Sequence, residues 1–565
     1  MLTSTAVLAV PVLPAAAVPR TAPGRDCAAV AERHLATMTP EQKVGQLVMV
    51  GGPRADVRRA VAELHAGVAS LSDAPDPRAA AEYANGMRAA ATGVPILVGG
   101  DFEHGAAHNI RTGTTALPRP MGLGAARDPA KAATAAGITA AELRLAGVRL
   151  TLAPVADVES RPDRPFGVRS FGQDPELVSR LTAAQVRAYR AAGVAAAVKH
   201  FPGHGGADVD AHLELPTVDA DRETLERTAF PPFRAAVAAG APVLMTAHIL
   251  LTAIDPELPA TLSPAVVSGV LRGDLGYTGV VITDSVQMGA IRQRWGVVDG
   301  SVLAIRAGAD VVLSTGPFTD HAAITHALRD RLSPERIEES AARVLRLKCV
   351  YGAFDRRPAD PELAAALSGT RGARKAARAI ARDSITVLDN SSGALPFRRD
   401  ARTLVAGVLD TEALARHLGA EWWQAGGADP TDAEIAEAVA RARDVDQVLV
   451  ATYARTAALP PGQARLVRAL AATGTRVAAV SIGVPHDVTA YPDLGAALAA
   501  YAQTFVWDTQ PPANDTVLGA VADVVFGARA GGRLPVHLSE ELPYGHSAAA
   551  PAPVAQSPGV TRPPS

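Results

Sequence analysis

The chain has 565 residues, of which 48% are hydrophobic and 20% charged, with a formal net charge of −2 at pH 7. This length and composition allow two or more folded domains. A near-neutral charge without a long basic segment gives no electrostatic support to nucleic-acid binding. The two cysteines, Cys27 and Cys349, neither make a disulfide scaffold nor suggest a zinc site, and they either pair or remain free thiols.

The first residues resemble a secretion signal. Residues 2–18 are apolar and rich in Ala, Val, Leu and Pro, although no basic segment precedes them. This stretch is too short and too often interrupted by Pro to span a bilayer, and no later segment resembles a transmembrane helix. We expect residues 1–26 to be a signal peptide or a disordered leader, and the protein to be secreted or associated with the cell wall. Residues 546–565, rich in Ala, Pro and Ser, are expected to be a disordered tail.

Short apolar runs alternate with Ala-rich helical stretches over the first 350 residues. Eight such runs predict a TIM-like (β/α)8 barrel, assigned to residues 27–350. A doubly wound open sheet would need an early glycine-rich phosphate turn, and the sequence has none. The predicted strands cover residues 47–50, 67–71, 95–98, 149–153, 194–198, 243–246, 279–282 and 310–313.

The remaining residues predict a linker, 351–383, and a second α/β region, 384–545. Six predicted strands separated by helical stretches indicate an α/β/α sandwich. The pair Trp422-Trp423 could stack on sugar rings or belong to a core or interface. Asp410, Glu421 and His486 are scattered and are interpreted as surface or packing residues. The predicted strands cover residues 385–388, 403–408, 447–451, 477–482, 496–501 and 534–538.

Titratable residues follow five of the predicted barrel strands. Each alone is more often a helix cap or an ion pair at the core edge than a catalyst. Because the carboxyl ends of barrel strands meet at one mouth, the five positions together predict an active site there. The densest of them is the loop after strand five, residues 199–212, with one Lys, three His and two Asp. The others are Asp101 with Glu103 and His104, Asp157, His248, and Asp284.

These stretches resemble one enzyme family. Residues 199–205 (KHFPGHG) followed by 210–212 (DAH) resemble the signature of family-3 glycoside hydrolases of the β-N-acetylhexosaminidase type. Residues 281–288 (VITDSVQM) resemble the nucleophile segment of that family. Weaker similarities lie at residues 153–157, 169–172, 245–248 and 259–263. Residues 384–388, 526–527 and 532–536 resemble the C-terminal sandwich of its two-domain members.

The resemblance implies a retaining, exo-acting β-N-acetylglucosaminidase that removes terminal GlcNAc from muropeptide or chitin-derived saccharides. It assigns Asp284 as nucleophile and His212 as acid/base, with Asp210 holding the imidazole. An ordinary histidine already titrates near neutral pH, which suits this role. Neither a cofactor nor a metal is implied, and the expected partner is an oligosaccharide. The substrate-binding residues implied are Asp101, Arg169, Lys199, His200 and His248.

Three other functions remain open from the sequence. A phosphorylase is one, because a histidine acid/base carries no negative charge to repel phosphate. The others are a β-glucosidase or β-xylosidase of the same fold, and a non-catalytic wall-binding protein. One departure from the family concerns leaving-group preference: Glu103 is followed by His104-Gly105 where the family usually has Gly-Gly, and the later pattern leading to Arg is altered.

Overall fold

The computed structural model describes residues 26–159, 167–207, 209–355, 357–454, 458–503 and 514–548. Apart from Asp26 and residues 546–548, the predicted leader and tail lie outside these ranges.

Eight parallel strands form a closed barrel in the order β1-β10-β9-β7-β5-β4-β3-β2, which confirms the predicted fold of the first domain. The strands are buried on both faces, as expected for parallel strands covered by helices. Strands β6 and β8 pair with each other outside the barrel. The strands are β1 (Val48–Val50), β2 (Val68–Ser70), β3 (Leu97–Gly100), β4 (Leu150–Thr151), β5 (Ala195–Phe201), β6 (Thr217–Val218), β7 (Val243–Thr246), β8 (Leu250–Leu251), β9 (Val280–Ser285) and β10 (Val311–Ser314).

Two barrel strands are longer than the sequence predicts. Strand β5 continues through Lys199 and His200, and β9 continues through Asp284. Apolar patterning ends a strand at its first charge, but here the charged side chains have partners that allow the strand to continue. Lys199, His200 and Asp284 therefore stand on the rigid barrel.

The helices of this half pack around the barrel. Several begin at an Asp-Pro or Ser-Pro pair, in which the first side chain accepts a backbone N–H and proline occupies the first helical position. A π-type helix covers Ala265–Asp274. The α-helices are α1 (Cys27–Thr37), α2 (Pro40–Gly45), α3 (Arg54–Glu63), α4 (Pro77–Ala90), α5 (Pro120–Ala126), α6 (Pro129–Leu145), α7 (Pro175–Ala191), α8 (Arg222–Thr228), α9 (Pro231–Ala238), α10 (Gly289–Arg292), α11 (Gly296–Ala307), α12 (Phe318–Arg331) and α13 (Pro334–Val350).

Helix α13 closes the end of the barrel opposite the predicted site. Val344, Leu347 and the following Tyr351 share one buried cluster with residues at the start of the strands, such as Leu97 and Val311. Cys349 of this helix forms a disulfide with Cys27 of α1, with an S–S distance of 2.06 Å. The two cysteines are therefore paired, and the bond fixes α1 to α13.

The second half contains a six-stranded sheet in the order β11-β16-β15-β14-β12-β13, with β11 antiparallel and the other neighbours parallel. α15, α16 and α19 pack together, and α17 packs against α18. The strands are β11 (Thr386–Asp389), β12 (Thr403–Gly407), β13 (Glu421–Gln424), β14 (Gln447–Thr452), β15 (Arg476–Ser481) and β16 (Ala497–Ala499). The helices are α14 (Pro361–Leu367), α15 (Arg371–Ser384), α16 (Thr411–Leu418), α17 (Asp432–Ala442), α18 (Pro461–Ala471) and α19 (Asp515–Val525).

Two details of this sheet differ from the prediction. The predicted strand at 534–538 is wrong, because Leu534 exchanges backbone hydrogen bonds with Gly545 and His546 in an irregular segment. Strand β13 was not predicted; it forms the sheet edge and places Trp423 in the core and Trp422 at the surface, 46% exposed. Asp410 and His486 are buried, whereas Glu421 is exposed.

Candidate active site

Three neighbouring strands bring an aspartate and two histidines together at the barrel mouth. Asp284 lies near the end of β9, His200 lies on β5, and His248 follows β7, which pairs with both strands. The Nε2 atom of His200 lies 3.8 Å from Oδ2 of Asp284. His248 reaches the backbone of the same strand, with Nε2 3.0 Å from the carbonyl oxygen of Ser285, and its Nδ1 lies 2.9 Å from Oγ1 of Thr261.

The surroundings of Asp284 keep its carboxylate ionised. Burial raises the pKa of Asp284, but the fields of His200, His248 and Lys199 and the backbone N–H of Ser285 outweigh it and lower the pKa to about 2. The Ser285 N–H donates to Oδ1 at 2.7 Å. The side chain remains 21% exposed at the mouth. A carboxylate that is ionised, largely removed from water and still accessible from the mouth has the properties of a nucleophile.

A second group of charges forms the floor beside Asp284. Glu103 accepts two hydrogen bonds from the Arg169 guanidinium, at 2.7 and 2.9 Å, and lies 2.8 Å from Lys199 Nζ. Lys199 also donates to Asp101 at 2.6 Å. Burial raises the pKa of Glu103, but Arg169 and Lys199 hold it well below its usual range. We call Asp101, Glu103, Arg169 and Lys199 the floor cluster.

Asp157, which follows β4, holds His200 from behind. Its Oδ2 lies 2.7 Å from His200 Nδ1, and its Oδ1 accepts the backbone N–H of His204 at 2.6 Å. Burial raises the pKa of Asp157, but His200 and these hydrogen bonds lower it overall. An ionised acceptor on Nδ1 fixes the tautomer and the ring orientation of His200, so that its Nε2 faces Asp284.

The loop after β5 carries the predicted acid/base. His212 Nδ1 lies 2.8 Å from Oδ1 of Asp210, which also accepts the His212 backbone N–H at 2.9 Å. The loop lies against α10, the helix that follows the strand of Asp284: the backbone N–H groups of Gly289 and Ala290 donate to the carbonyls of His212 and Ala211 at 3.0 and 3.1 Å. The imidazole is 43% exposed at the mouth. Burial lowers the pKa of His248, and the nearby imidazoles of His200 and His212 lower it further. Asp208 lies outside the described residues.

His104, the departure from the family pattern, links the mouth to the second domain. Its ring stacks against His108, with centroids 4.4 Å apart, and touches the Arg119 guanidinium at 2.8 Å. Arg119 donates to the Ala502 carbonyl at 3.3 Å and to Gln503 Oε1 at 3.4 Å. Burial first, and then Arg119, hold the pKa of His104 well below its usual range, so the ring is neutral. The carboxyl edge of the sandwich sheet therefore lies directly behind the floor cluster.

The structure thus brings the eight predicted site residues to one mouth, in two layers. Asp101, with a 44% exposed side chain, together with Arg169, Asp284, Asp210 and His212, is open to the mouth. Lys199, His200 and His248 lie behind them and contact protein groups, so they are placed to position and charge the front layer. Sequence reasoning gave no role to Glu103, Asp157 or Arg119. Glu103 and Asp157 had a signal, since both follow barrel strands, whereas Arg119 had none.

Within the described ranges, no group of three or more His, Cys, Asp or Glu side chains is arranged to hold a metal ion. Among the helices of those ranges, none combines the length and the apolar character needed to cross a membrane.

Comparison with known proteins places these observations in a family. Residues 39–347 match the model of the glycosyl hydrolase family 3 N-terminal domain. The beta-hexosaminidase of Xylella fastidiosa (strain M23) is 39% identical over 229 residues, covering 40% of this chain and 68% of that protein. Beta-hexosaminidase A of Pseudoalteromonas piscicida is 32% identical over 339 residues, or 55% of this chain, and the match spans 56% of that relative's length.

The similarity extends to both domains in a solved structure. The glycoside hydrolase family 3 beta-N-acetylglucosaminidase from Paenibacillus sp. str. FPU-7 superposes with a TM-score of 0.80 at 35% identity. The superposition covers 89% of this chain and 99% of that one.

Proposed function

The chain belongs to glycosyl hydrolase family 3, and from this premise we propose that it is a retaining, exo-acting β-N-acetylglucosaminidase. Asp284 is the nucleophile, His212 the acid/base, and Asp210 the residue that holds the imidazole. The substrate is an oligosaccharide with a terminal β-linked GlcNAc. The relatives described above, a beta-hexosaminidase at 39% identity and a beta-N-acetylglucosaminidase at 35%, support this sugar.

One observation carries the proposal: the loop of His212 is bonded to the residues that follow Asp284. The hydrogen bonds from Gly289 and Ala290 fix the His212 loop five to six residues beyond the nucleophile. A retaining mechanism needs a nucleophile on one side of the glycosidic bond and a proton donor on the leaving-group side. A carboxylate on β9 and an imidazole on a loop seated against the same segment supply this pair.

In the first step, the Asp284 carboxylate forms a bond to the anomeric carbon. The bond from that carbon to the glycosidic oxygen breaks, and this oxygen takes its proton from His212. The product is a glycosyl ester on Asp284 and a free leaving group. The low pKa of Asp284 keeps the nucleophile ionised at neutral pH. Asp210 holds Nδ1 of His212 and so leaves Nε2 to give up the proton.

In the second step, neutral His212 removes a proton from water. The resulting oxygen bonds to the anomeric carbon from the side that the leaving group vacated, and Asp284 departs as a carboxylate. Two displacements at one carbon restore the β configuration. Asp101, the most exposed member of the floor cluster, accepts hydrogen bonds from sugar hydroxyls, and Arg169 donates to a hydroxyl or to the acetamido carbonyl.

We propose that the enzyme acts outside the cytoplasm, secreted or bound to the wall. The disulfide between Cys27 and Cys349 supports this, because such bonds persist mainly in oxidising compartments. Muropeptide or chitin-derived saccharides are substrates that fit this location.

The decisive experiment is a screen of aryl β-glycosides of GlcNAc, glucose and xylose, with and without inorganic phosphate, on wild type and Asp284→Asn. We expect turnover of the GlcNAc glycoside, release of free GlcNAc whose first-formed anomer is β by NMR, and loss of turnover in Asp284→Asn by at least about 10⁴-fold.

Each of the other functions that the sequence left open would give a distinct result in the same screen. Sugar 1-phosphate formed only in the presence of phosphate identifies a phosphorylase. Preferred turnover of the glucoside or xyloside identifies the corresponding glycosidase. No turnover, together with retention on cell-wall polymer, identifies a binding protein, and undiminished turnover by Asp284→Asn refutes the assigned nucleophile.

A further inference from the structure

The loop that carries His212 rests on the short helix α10, which follows the strand of Asp284. Two consecutive carbonyls of the loop accept hydrogen bonds from this helix: that of Ala211 from the Ala290 N–H, and that of His212 from the Gly289 N–H. A third bond comes from the Gln293 side chain, whose Nε2 donates to the carbonyl of Leu213 at 2.6 Å. These bonds hold the carbonyls of residues 211–213 in sequence.

Position 289 admits the loop only because it is glycine. A Cβ added there would lie 2.3 Å from the carbonyl oxygen of Leu213 and 2.7 Å from that of His212. Both are backbone atoms, and neither can rotate away as the end of a side chain could. Since Gly289 is the first residue of α10 and its φ is not positive, alanine fits the helix itself. The conflict would fall on the His212 loop.

A small apolar contact supports the same interface. Ala211, Met288 and Ala290 form a buried cluster, against which Leu215 packs. Between these apolar residues, Leu213 and His212 point outward, and Leu213 is 62% exposed. The cluster therefore anchors the loop on both sides of the acid/base, whose side chain is 43% exposed at the mouth.

We propose that Gly289 and Gln293 are positioning residues for the acid/base: they seat the His212 loop on the segment that carries the nucleophile, so that the two groups keep a fixed relation across the sugar. This rests on the proposed function, to which it adds how the acid/base is placed. Neither residue touches the substrate. Their effect is confined to the proton transfers of His212, and the attack by Asp284 does not depend on them.

This separation can be measured through leaving groups. Release of 2,4-dinitrophenolate needs no proton, whereas release of phenol does. Misplacing His212 therefore lowers kcat/KM for a phenyl β-N-acetylglucosaminide and spares kcat/KM for the dinitrophenyl one. It also slows the attack of water on the glycosyl ester, and azide, which needs no general base, relieves this by forming a β-glycosyl azide and freeing the Asp284 carboxylate.

The variants are Gly289→Ala and Gln293→Ala, with Arg292→Ala as the matched control, an exposed α10 side chain one residue from Gln293. We expect Gly289→Ala to lower kcat/KM on the phenyl glycoside about 100-fold and on the dinitrophenyl glycoside less than about 3-fold. Azide should raise kcat on the dinitrophenyl glycoside and yield the glycosyl azide. Gln293→Ala should show the same selectivity at about 5-fold, and Arg292→Ala should match wild type.

Equal losses on both glycosides, or no loss in either variant, would overturn the inference. If Gly289→Ala fails to fold by circular dichroism, Gln293→Ala decides alone, since its side chain lies at the surface. If the proposed function itself is wrong, the results differ: wild type releases neither aglycone, or Asp284→Asn releases both. In either case the positioning role is refuted as well.

Discussion

The barrel mouth and the carboxyl edge of the sandwich sheet are equivalent positions in their two domains. Buried carboxyl groups are charged at the mouth, whereas a buried carboxyl group at the sandwich edge favours its neutral form. Both lie where parallel strands end, the usual position of ligand sites in α/β folds. At the mouth, buried Lys199, Glu103 and Asp157 each face an opposite charge or an imidazole and remain ionised. At the sandwich edge, Asp487 is fully buried and accepts a hydrogen bond from the Thr452 hydroxyl at 2.7 Å.

This difference separates a reactive edge from an inert one. Burial raises the pKa of Asp487 to about 7 and lowers that of His486 to about 4, so each favours its neutral form. At the mouth, partner charges reverse the effect of burial and Asp284 is ionised. The proposed chemistry needs persistent charge beside an open surface, and of these two edges, within the described residues, the mouth provides it.

The largest effect is expected from Glu103→Gln, which removes the anion between Arg169 and Lys199. Buried Lys199, which keeps Asp101, and the partly exposed Arg169 would lose their shared partner. This costs about 3 kcal/mol of unfolding free energy, and the loss of floor geometry lowers kcat/KM about 10³-fold. Urea denaturation and steady-state kinetics measure the two effects. The control Glu63→Gln removes only a surface pair with Arg59 and should change stability by less than about 0.5 kcal/mol. If Glu103→Gln matches this control, the floor cluster is not what distinguishes the mouth.

Asp157→Asn should have the next largest effect, because the substitution changes the electrostatic field at Asp284 without altering a residue in contact with substrate. An asparagine side chain has no carboxylate to hold Nδ1 of His200, and the field of His200 is the strongest of the influences that lower the Asp284 pKa. We expect kcat to fall about 10²-fold, and the acid limb of the pH–rate profile to move to higher pH as the Asp284 pKa rises. A loss of kcat without movement of the acid limb would show that Asp157 acts only on loop geometry.

How much of the fold and the site could be predicted from the sequence depends on how far apart in the chain the residues that determine each feature lie. The barrel strands were predicted because apolar runs are local, and Asp284 and His212 because their neighbours resemble a family signature. Strand β13 was missed, since two adjacent tryptophans at a sheet edge lack the apolar run used to find strands. The pairing of Glu103 with Arg169 spans 66 residues, and the contact of Arg119 with Gln503 spans 384. Partners so far apart are chosen by the fold and leave no local pattern.

Asp487→Asn tests the inert side of the comparison. A carboxyl whose pKa is about 7 in the folded state and about 4 in the unfolded state binds its proton more tightly when folded. Its contribution to stability is therefore present below pH 4 and lost as the pH rises to 7. Asparagine does not ionise, so the variant should gain about 1–3 kcal/mol relative to wild type between pH 4 and pH 8, measured by urea denaturation with unchanged kcat. The exposed Asp493→Asn should show no such gain, and a pH-independent difference for Asp487→Asn would contradict burial as the cause.

The smallest expected effect comes from Arg119→Met, where the two regions meet. The sheet order reverses between β12 and β14, where an open α/β sheet usually binds a ligand. Here Asp410, which follows β12, accepts from Gln503, and Gln503 accepts from Arg119 of the barrel. A side chain of the barrel is thus linked through Gln503 to the residue at this reversal point. Burial lowers the pKa of Arg119 to about 10, so it remains charged at neutral pH and needs these partners.

Removing Arg119 should loosen the wall behind His104 and Glu103 and leave Asp284 as it is. We therefore expect KM for an aryl β-N-acetylglucosaminide to rise about 5-fold, with kcat within about 2-fold of wild type. Gln503→Ala should reproduce the change in KM, and Arg111→Met, which removes a surface partner of Asp73, should not. If stability falls in Arg119→Met while KM is unchanged, the sandwich edge only supports the barrel. A rise in KM shared with Gln503→Ala means that the inert edge acts on the reactive one through a single buried guanidinium.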